Sequence, residues 1–114
     1  MMRTLTLMVA LILAGACAQA SAQPYPAKPI RLVVGFAPGG AADFVARALG
    51  DALGRVLGQS IVIENRAGAG SSIAADYVAK SAPDGYTMLI ASPSSISVNP
   101  ALNPKIGYLS LIHI

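Results

Sequence analysis

The stretch from residue 31 to residue 43 constrains the fold of this chain more than any other. It contains a short apolar run with β-branched residues, from Leu32 to Val34, followed by Pro38, Gly39 and Gly40 and then by a sequence of helical character. Such a run is typical of a strand covered on both faces. Proline has a fixed φ and glycine adopts angles that other residues avoid, so the connection is tight. The pattern predicts a buried strand that leads through a glycine turn into a helix.

The N-terminus of that helix favours anions, because its unpaired N–H groups and the helix dipole both face the turn. The spacing from Gly35 to Gly40 matches the G-x-x-x-x-G pattern of a phosphate-binding P-loop. However, Ala41 and Ala42 stand where a P-loop has its lysine and its magnesium-binding hydroxyl. The sequence therefore predicts an anion site at this turn, and nucleotide binding is not expected.

The same strand–turn–helix arrangement recurs along the chain. Strands are predicted at residues 30–34, 60–64 and 87–91, helices at about 40–57 and from residue 71 or 72 to about 81, and irregular structure at 96–103. The order β-α-β-α-β implies right-handed crossovers and a parallel sheet, which places the chain in the α/β class. We expect the strand order 2-1-3, with a first turn at residues 35–40, a second at 65–70 and a third at 92–95. All three then lie at the carboxyl edge of the sheet, where open α/β sheets bind ligands.

Apolar residues at helical spacing define the face that each helix is expected to bury. Gly50 and Gly54 lower the helix propensity of the first helix, and close packing of that helix on the sheet explains their presence. Arg47 is expected to form an exposed ion pair with Asp43 or Asp51. The predicted apolar faces are Val45, Ala48, Leu49, Ala52, Leu53 and Val56 in the first helix, and Ile73, Ala74, Tyr77 and Val78 in the second.

Residues 1–22 have the pattern of a bacterial secretory signal peptide. A basic start is followed by an apolar run of about a dozen residues, which is short for a bilayer span, and by an A-x-A site ending at Ala22. Two alternatives are a membrane anchor and a lipoprotein modified at Cys17. Cleavage after Ala22 removes the only cysteine, so the mature chain is expected to have neither a disulfide nor thiol chemistry.

Few side chains in the predicted mature region suit catalysis. The only histidine is His113, and the carboxylates are scattered, so acid–base, nucleophilic and zinc chemistry lack their usual groups. Asp43 has two interpretations, a catalytic acid or a complement to the helix dipole. The serines of the third turn are either ligand donors or turn caps. From residue 23 onward, seven basic and five acidic side chains leave a dispersed net charge of +2, which does not suggest nucleic-acid binding. No enzyme activity, cofactor or metal is predicted.

Several segments together resemble the substrate-binding receptors of tripartite tricarboxylate transporters, the Bug family. The resemblance runs through about 85 residues in a consistent order and spacing, although no single motif is decisive. The segments that carry it are YPAKPIR at 25–31, FAPGG at 36–40, ENR at 64–66, GAG at 68–70, APDGYT at 82–87 and NPAL at 99–102.

The resemblance implies a type II periplasmic-binding-protein-like fold with two α/β lobes and a ligand cleft between them. It also implies a small carboxylate ligand, a membrane permease as partner and a mature protein that is monomeric. The family's ligand-holding segments correspond here to the three turns and the residues beside them. The site residues predicted in this way are Phe36, Ala37, Pro38, Gly39, Gly40, Asp43, Gly68, Gly70, Ser71, Ser72, Ser92, Ser94 and Ser95.

This chain departs from the family pattern at several positions. The family often has proline at the positions of Gly35 and Ala67, and Gly-Asn near Ser71 and Ser72. After Tyr108 it usually continues with Asp-Pro, whereas here an apolar hexapeptide ends the sequence. The resemblance thus predicts that residues 23–108 are part of an N-terminal lobe, and that residues 109–114 reflect a frameshift or an artefact. Two alternatives are an exported α/β enzyme whose catalytic residues lie elsewhere and a small structural domain.

Overall fold

The computed structural model describes residues 24–108, which form a three-stranded parallel sheet with helices packed against it. The predicted signal peptide, Cys17 and the tail at 109–114 lie outside these residues. In chain order the elements are β1 (Ile30–Val34), α1 (Ala41–Leu57), β2 (Ile61–Asn65), a single turn of 3₁₀ type (Ala69–Ser71), α2 (Ser72–Ala79), β3 (Thr87–Ile90), a π-helical turn (Ser94–Val98) and α3 (Asn99–Leu102).

The strand order is β2-β1-β3, with both pairs parallel, so the predicted 2-1-3 order is confirmed. The helix α1 packs on β1 and β2, and α2 packs on β1 and β3. The first crossover runs from the central strand β1 to β2, and the second runs back across the sheet from β2 to β3. Because right-handed crossovers in opposite directions place their helices on opposite sides, the two helices cover opposite faces of the sheet. Half of the buried apolar residues come from β1, which explains its largely apolar sequence. These are Ile30, Leu32, Val33 and Val34, and the others are Ala46, Ala74, Ala75 and Tyr108.

The buried face of α1 is not the predicted one. The helix turns Asp43, Ala46 and Gly50 toward the sheet, whereas Val45 is more than half exposed and Val56 is 82% exposed. A Cβ atom on Gly50 would lie 3.2 Å from Ile63 Cδ1 and 3.5 Å from Ile61 Cβ. Small residues therefore allow α1 to approach β2 closely, and the larger apolar side chains remain on the outer surface. The predicted role of Gly50 in close packing is confirmed.

Two other elements differ from their predictions. The helix α2 ends at Ala79 and buries Ala74 and Ala75, while Ile73 is half exposed. The segment after the third turn, predicted as irregular, instead forms the π-helical turn and α3. Asn99-Pro100 breaks a helix in most contexts, but proline is tolerated in the first helical turn, where its missing N–H costs nothing.

The opposite, amino edge of the sheet is held by the segment that precedes β1. The Tyr25 hydroxyl donates to the carbonyl oxygen of Gly85 at 2.6 Å, and the backbone N–H of Ala27 donates to the Tyr86 hydroxyl at 2.8 Å. Lys28 Nζ lies 3.6 Å from a carboxylate oxygen of Asp84. These contacts lie far from the three turns. Among residues 24–108, no helix has the length and apolar character needed to cross a membrane.

Candidate functional site

The three turns meet at the carboxyl edge of the sheet because the strands are parallel and in register. Val34, the last residue of β1, is paired with Asn65 of β2 and with Ile90 of β3. The first turn therefore lies between the other two. A shallow pocket with a volume of about 620 Å³ is lined by residues 36–42. The structure thus brings predicted site residues from three separate segments to one edge of the sheet.

Asp43 is buried and forms the anchor of the first turn. Its carboxylate accepts hydrogen bonds from the Gly39 N–H at 3.0 Å, from Arg47 Nε and Nη2 at 2.9 and 3.0 Å, and from Asn65 Nδ2 at 3.0 Å. The Arg47 guanidinium, followed by the Gly39 N–H and the Asn65 amide, holds the pKa of Asp43 well below its ordinary value. The expected exposed pair of Asp43 and Arg47 is wrong in one respect, since the Asp43 side chain is only 5% exposed.

The interpretation of Asp43 changes accordingly. Its carboxylate lies in the first turn of α1, and both oxygens already accept from the protein's own donors. Such a group neither donates to a carboxylate ligand nor carries a proton near neutral pH. Asp43 therefore stabilises the conformation of the first turn through internal hydrogen bonds.

Asn65 holds the first turn and was not among the predicted site residues. Its Nδ2 atom donates both to the Phe36 carbonyl oxygen at 3.1 Å and to Asp43 Oδ1 at 3.0 Å. These two bonds use both amide protons and tie the first turn to the end of β2. The signals available in the sequence were its place at the start of the predicted second turn and within the ENR segment of the family resemblance.

The second turn has an unusual backbone. Ala69, Gly70 and Ser71 have φ values of 47°, 60° and 71°, and Gly68 has φ 133°. Left-handed backbone costs a non-glycine residue about 1–2 kcal/mol, so Ala69 and Ser71 are strained. Strain of this kind persists only where the surroundings enforce it, and it is frequent at functional sites.

Ser71 lies directly against the first turn. It is 1% exposed. Among residues 24–108, its Oγ is the one buried side-chain polar atom that has no hydrogen-bond partner. A Cβ atom on Gly35 would overlap Ser71 Oγ and lie 2.5 Å from Ser71 Cβ. Gly35 is therefore required here by space, and Ser71 joins the first and second turns. Ser71 precedes α2 as its N-cap residue but makes no side-chain capping bond.

The serine hydroxyls of the third turn form most of their hydrogen bonds within the turn. Ser95 is fully buried; its hydroxyl donates to the Ser92 carbonyl oxygen at 2.9 Å and accepts from the Ser92 N–H at 3.0 Å. Ser92 Oγ accepts from the Ser95 N–H at 3.3 Å and lies 3.3 Å from Ser94 Oγ. Of the two roles predicted for these serines, turn capping describes Ser95, and Ser94 keeps a partly exposed hydroxyl.

Two further residues missed by sequence reasoning connect the second and third turns. Asn99 Nδ2 donates to the Gly70 carbonyl oxygen at 3.0 Å and to Ser72 Oγ at 2.7 Å. The Tyr108 hydroxyl lies 2.8 Å from the Ser95 carbonyl oxygen and 3.3 Å from Ser72 Oγ. Both residues are distant in sequence from the turn they hold, so no local pattern could identify them.

The predicted site residues at this edge offer mainly neutral hydrogen-bond donors. In the part of the chain from residue 24 to residue 108, no group of three or more His, Cys, Asp or Glu side chains is placed to hold a metal ion. The predicted site residues offer backbone N–H groups and serine hydroxyls, apart from Asp43, which faces inward. Neutral donors of this kind bind a carboxylate by charge-assisted hydrogen bonds, each contributing about 1.5–3 kcal/mol.

Comparison with known proteins agrees with this description. Protein BugT from Bordetella pertussis is 50% identical to this chain over 96 residues, which cover 83% of the chain and 29% of BugT. An uncharacterised-family protein from Cupriavidus necator, described as the UPF0065 protein in the gbd 5' region, is 46% identical over 79 residues. This chain spans less than a third of the length of either relative, 29% and 24% respectively.

Solved structures show the same fold. A structure described as a periplasmic transporter is 47% identical and has a TM-score of 0.72 over 75% of this chain and 29% of its own. Rpa4515 from R. palustris, solved with adipate, is 40% identical with a TM-score of 0.71 over 76% of this chain and 29% of its own. MatC from Rhodopseudomonas palustris, solved with bound malate, is 41% identical with a TM-score of 0.71 over 75% and 29%. The predicted fold of periplasmic-binding-protein type is confirmed.

The family comparison gives the same result from sequence. Residues 45–114 match the family described as "Tripartite tricarboxylate transporter family receptor". The match covers more than half of the chain, and the resemblance inferred from the residues is confirmed. This chain belongs to the tripartite tricarboxylate transporter receptor family.

Proposed function

We propose that residues 24–108 form one wall of a binding site for a small carboxylate in a solute receptor. The observation that carries the proposal is the convergence of the three turns at the carboxyl edge of one parallel sheet. Val34, Asn65 and Ile90 end their strands at the same level, and this edge is where open α/β sheets bind ligands. The glycine and serine residues beyond it supply neutral donors suited to an anion.

The ligands of two similar proteins support the carboxylate class. Rpa4515 was solved with adipate and MatC with malate, and each is at least 40% identical to this chain. Both ligands are small dicarboxylates. The ligand of this receptor is accordingly expected to be a dicarboxylate, a tricarboxylate or a related organic acid.

Membership of a transporter receptor family supports the remaining parts of the proposal. The receptor acts in the periplasm as a monomer, after export directed by residues 1–22. It delivers its ligand to the membrane permease of a tripartite transporter or presents it to a sensor. Residues 23–108 belong to the first of two lobes, and the second wall of the cleft comes from the other lobe. Its role is binding and not catalysis.

Calorimetry on a chimaera tests this function. Residues 24–108 replace the aligned segment of MatC, so that the rest of MatC supplies the other wall. The folded chimaera is titrated with malate, adipate and citrate, and with a neutral sugar as the control ligand. We expect micromolar binding of at least one carboxylate and none of the sugar, because a few charge-assisted hydrogen bonds account for about −8 kcal/mol.

Two results would contradict the proposal. One is a cooperatively folded chimaera that binds none of the three carboxylates. The other is preferential binding of the neutral sugar. Unmodified MatC, titrated with malate under the same conditions, establishes that the assay detects binding.

A further inference from the structure

We propose that Asn99 and Tyr108 are positioning residues that hold the second turn against the third, with Ser72 Oγ as the acceptor that they share. The inference rests on the proposed function and deepens it, because it separates the residues that shape the site from those that donate to a carboxylate.

The Tyr108 hydroxyl links the third turn to the start of α2. It donates to the Ser95 carbonyl oxygen at 2.8 Å in a buried bond, and its longer contact, at 3.3 Å, is with Ser72 Oγ as acceptor. A carbonyl oxygen only accepts, so the single Tyr108 proton is engaged chiefly with Ser95.

Asn99 contacts the same Ser72 oxygen. Asn99 Nδ2 lies 2.7 Å from Ser72 Oγ, and an amide nitrogen only donates. Ser72 Oγ therefore accepts from the Asn99 amide and lies beside the Tyr108 hydroxyl, so the start of α2 is held by two residues from further along the sequence.

The backbone of the second turn is strained. Ala69, Gly70 and Ser71 all have positive φ, and two of them are not glycine. Asn99 Nδ2 donates to the Gly70 carbonyl oxygen at 3.0 Å and lies 3.4 Å from that of Ala69. Asn99 is therefore placed to hold the left-handed backbone, and the backbone N–H groups of this turn keep their direction only while it does.

The hydrogen bond between Tyr108 and Ser95 is buried. Tyr108 is 3% exposed and Ser95 is fully buried, so water does not readily replace the bond between them. Tyr108 lies 36 residues beyond Ser72 and 13 beyond Ser95. One buried hydroxyl thus connects the second and third turns, which are distant in sequence. The two turns are therefore expected to move as a unit.

The test compares two matched tyrosines in the MatC chimaera. Tyr108→Phe removes a hydroxyl that donates to a backbone carbonyl at the carboxyl edge, and Tyr25→Phe removes a hydroxyl that donates to the Gly85 carbonyl at the amino edge. Calorimetry gives the affinity for malate, adipate and citrate, thermal unfolding gives the stability, and hydrogen–deuterium exchange gives the protection of segment 68–72. Asn99→Ala is the second variant, because Asn99 holds the same turn through different hydrogen bonds, to the Gly70 carbonyl oxygen and to Ser72 Oγ.

We expect Tyr108→Phe to weaken carboxylate binding about tenfold, the equivalent of one hydrogen bond, and to speed amide exchange in segment 68–72 at least threefold. Asn99→Ala is expected to do the same. Tyr25→Phe is expected to lower the melting temperature comparably while leaving the affinity and this exchange unchanged.

The inference is overturned if Tyr108→Phe and Tyr25→Phe have equal effects on affinity, or if exchange in segment 68–72 is unchanged in both Tyr108→Phe and Asn99→Ala. Failure of the proposed function is a separate result, namely that the folded, unsubstituted chimaera binds no carboxylate. In that case the exchange comparison still decides whether Asn99 and Tyr108 hold the second turn, since it needs no ligand.

Discussion

Gly35 and Ser71 share a space that only one side chain can occupy. A Cβ atom at position 35 would overlap Ser71 Oγ, while Ser71 has φ 71° and an unpartnered hydroxyl, so it gains little from its own side chain. The position of each residue therefore depends on the other. This pair sets the distance between the first and second turns.

Gly35→Ala is predicted to destabilise the chimaera by about 1–3 kcal/mol, the usual cost of overpacking. Ser71→Gly is predicted to be neutral or slightly stabilising, because glycine relieves the left-handed strain. The double variant is predicted to recover most of the loss, so that urea unfolding gives a coupling energy of about 1–2 kcal/mol. Gly40→Ala is the control, since its Cβ would meet only the Ala37 carbonyl oxygen at 3.6 Å. Additive effects of the two substitutions would show that the clash is absent.

Asp43 makes a pH-dependent contribution to stability. Its pKa is lowered from the ordinary value of 3.8, chiefly by the Arg47 guanidinium. A carboxyl group whose pKa is lower in the folded state stabilises the fold above its unfolded pKa, and this contribution is lost as the pH falls through the folded pKa. The contribution is therefore complete above about pH 4 and declines below it.

Asp43→Asn is predicted to lower the melting temperature by several degrees at pH 7, because the amide cannot accept the same set of charge-assisted bonds. Below pH 4 the difference from the unsubstituted protein is predicted to shrink. Thermal unfolding between pH 2 and pH 7 measures both effects, with Asp51→Asn, an exposed acid on the same helix, as the control. A difference that grows as the pH falls would contradict this role for Asp43.

At the scale of the elements, α1 shows why apolar periodicity did not identify the buried face. Two faces of this helix are apolar, one of small residues and one of larger ones. The sheet takes the small face, since Ala46 and Gly50 permit close approach to β2. Periodicity weights large side chains more strongly, so it favoured Val45 and Leu49. The positions of Gly50 and Gly54 contained the correct information about which face packs on the sheet.

Gly50→Leu is predicted to destabilise the chimaera by about 1–2 kcal/mol. Leucine improves helix propensity by about 0.5–1 kcal/mol, but overpacking against Ile63 and Ile61 costs about 1–3 kcal/mol and outweighs that gain. Asp51→Leu, at the adjacent exposed position, is predicted to stay within about 0.5 kcal/mol. Urea unfolding compares the two. Equal effects of both substitutions would show that α1 does not pack through Gly50.

The turns could be located from the sequence, but the way in which they are held could not. Proline, glycine and serine clusters identified all three turns, because such residues are required by local backbone conformation. The residues that hold the turns, Asn65, Asn99 and Tyr108, lie at strand ends or far along the chain. Their roles arise from tertiary contacts, which a local pattern does not encode. The same limit applies to the internal hydrogen bonds of Asp43 and Ser72, which no local pattern predicts.

At the scale of the whole molecule, the parallel sheet and the edge that holds the candidate site followed from a few rules, whereas sequence order alone does not determine the strand order. Right-handed crossovers and two helices of adequate length lead to a parallel sheet, and the glycine turns lie at its carboxyl edge. In the described residues, β2 and β3 are both edge strands of the sheet, and unpaired edges favour association. This chain spans 29% of MatC, so the site is best examined with the rest of such a receptor in place.

The most direct measurement is a crystal structure of the MatC chimaera grown with malate. We predict that one carboxylate of malate lies within hydrogen-bond distance of backbone N–H groups in the first turn, with further donors from the second and third turns. Asp43 is predicted to keep its internal bonds and to make no contact with the ligand. Malate bound only to residues that come from MatC, with the three turns left empty, would contradict the assignment of this edge as a carboxylate-binding wall.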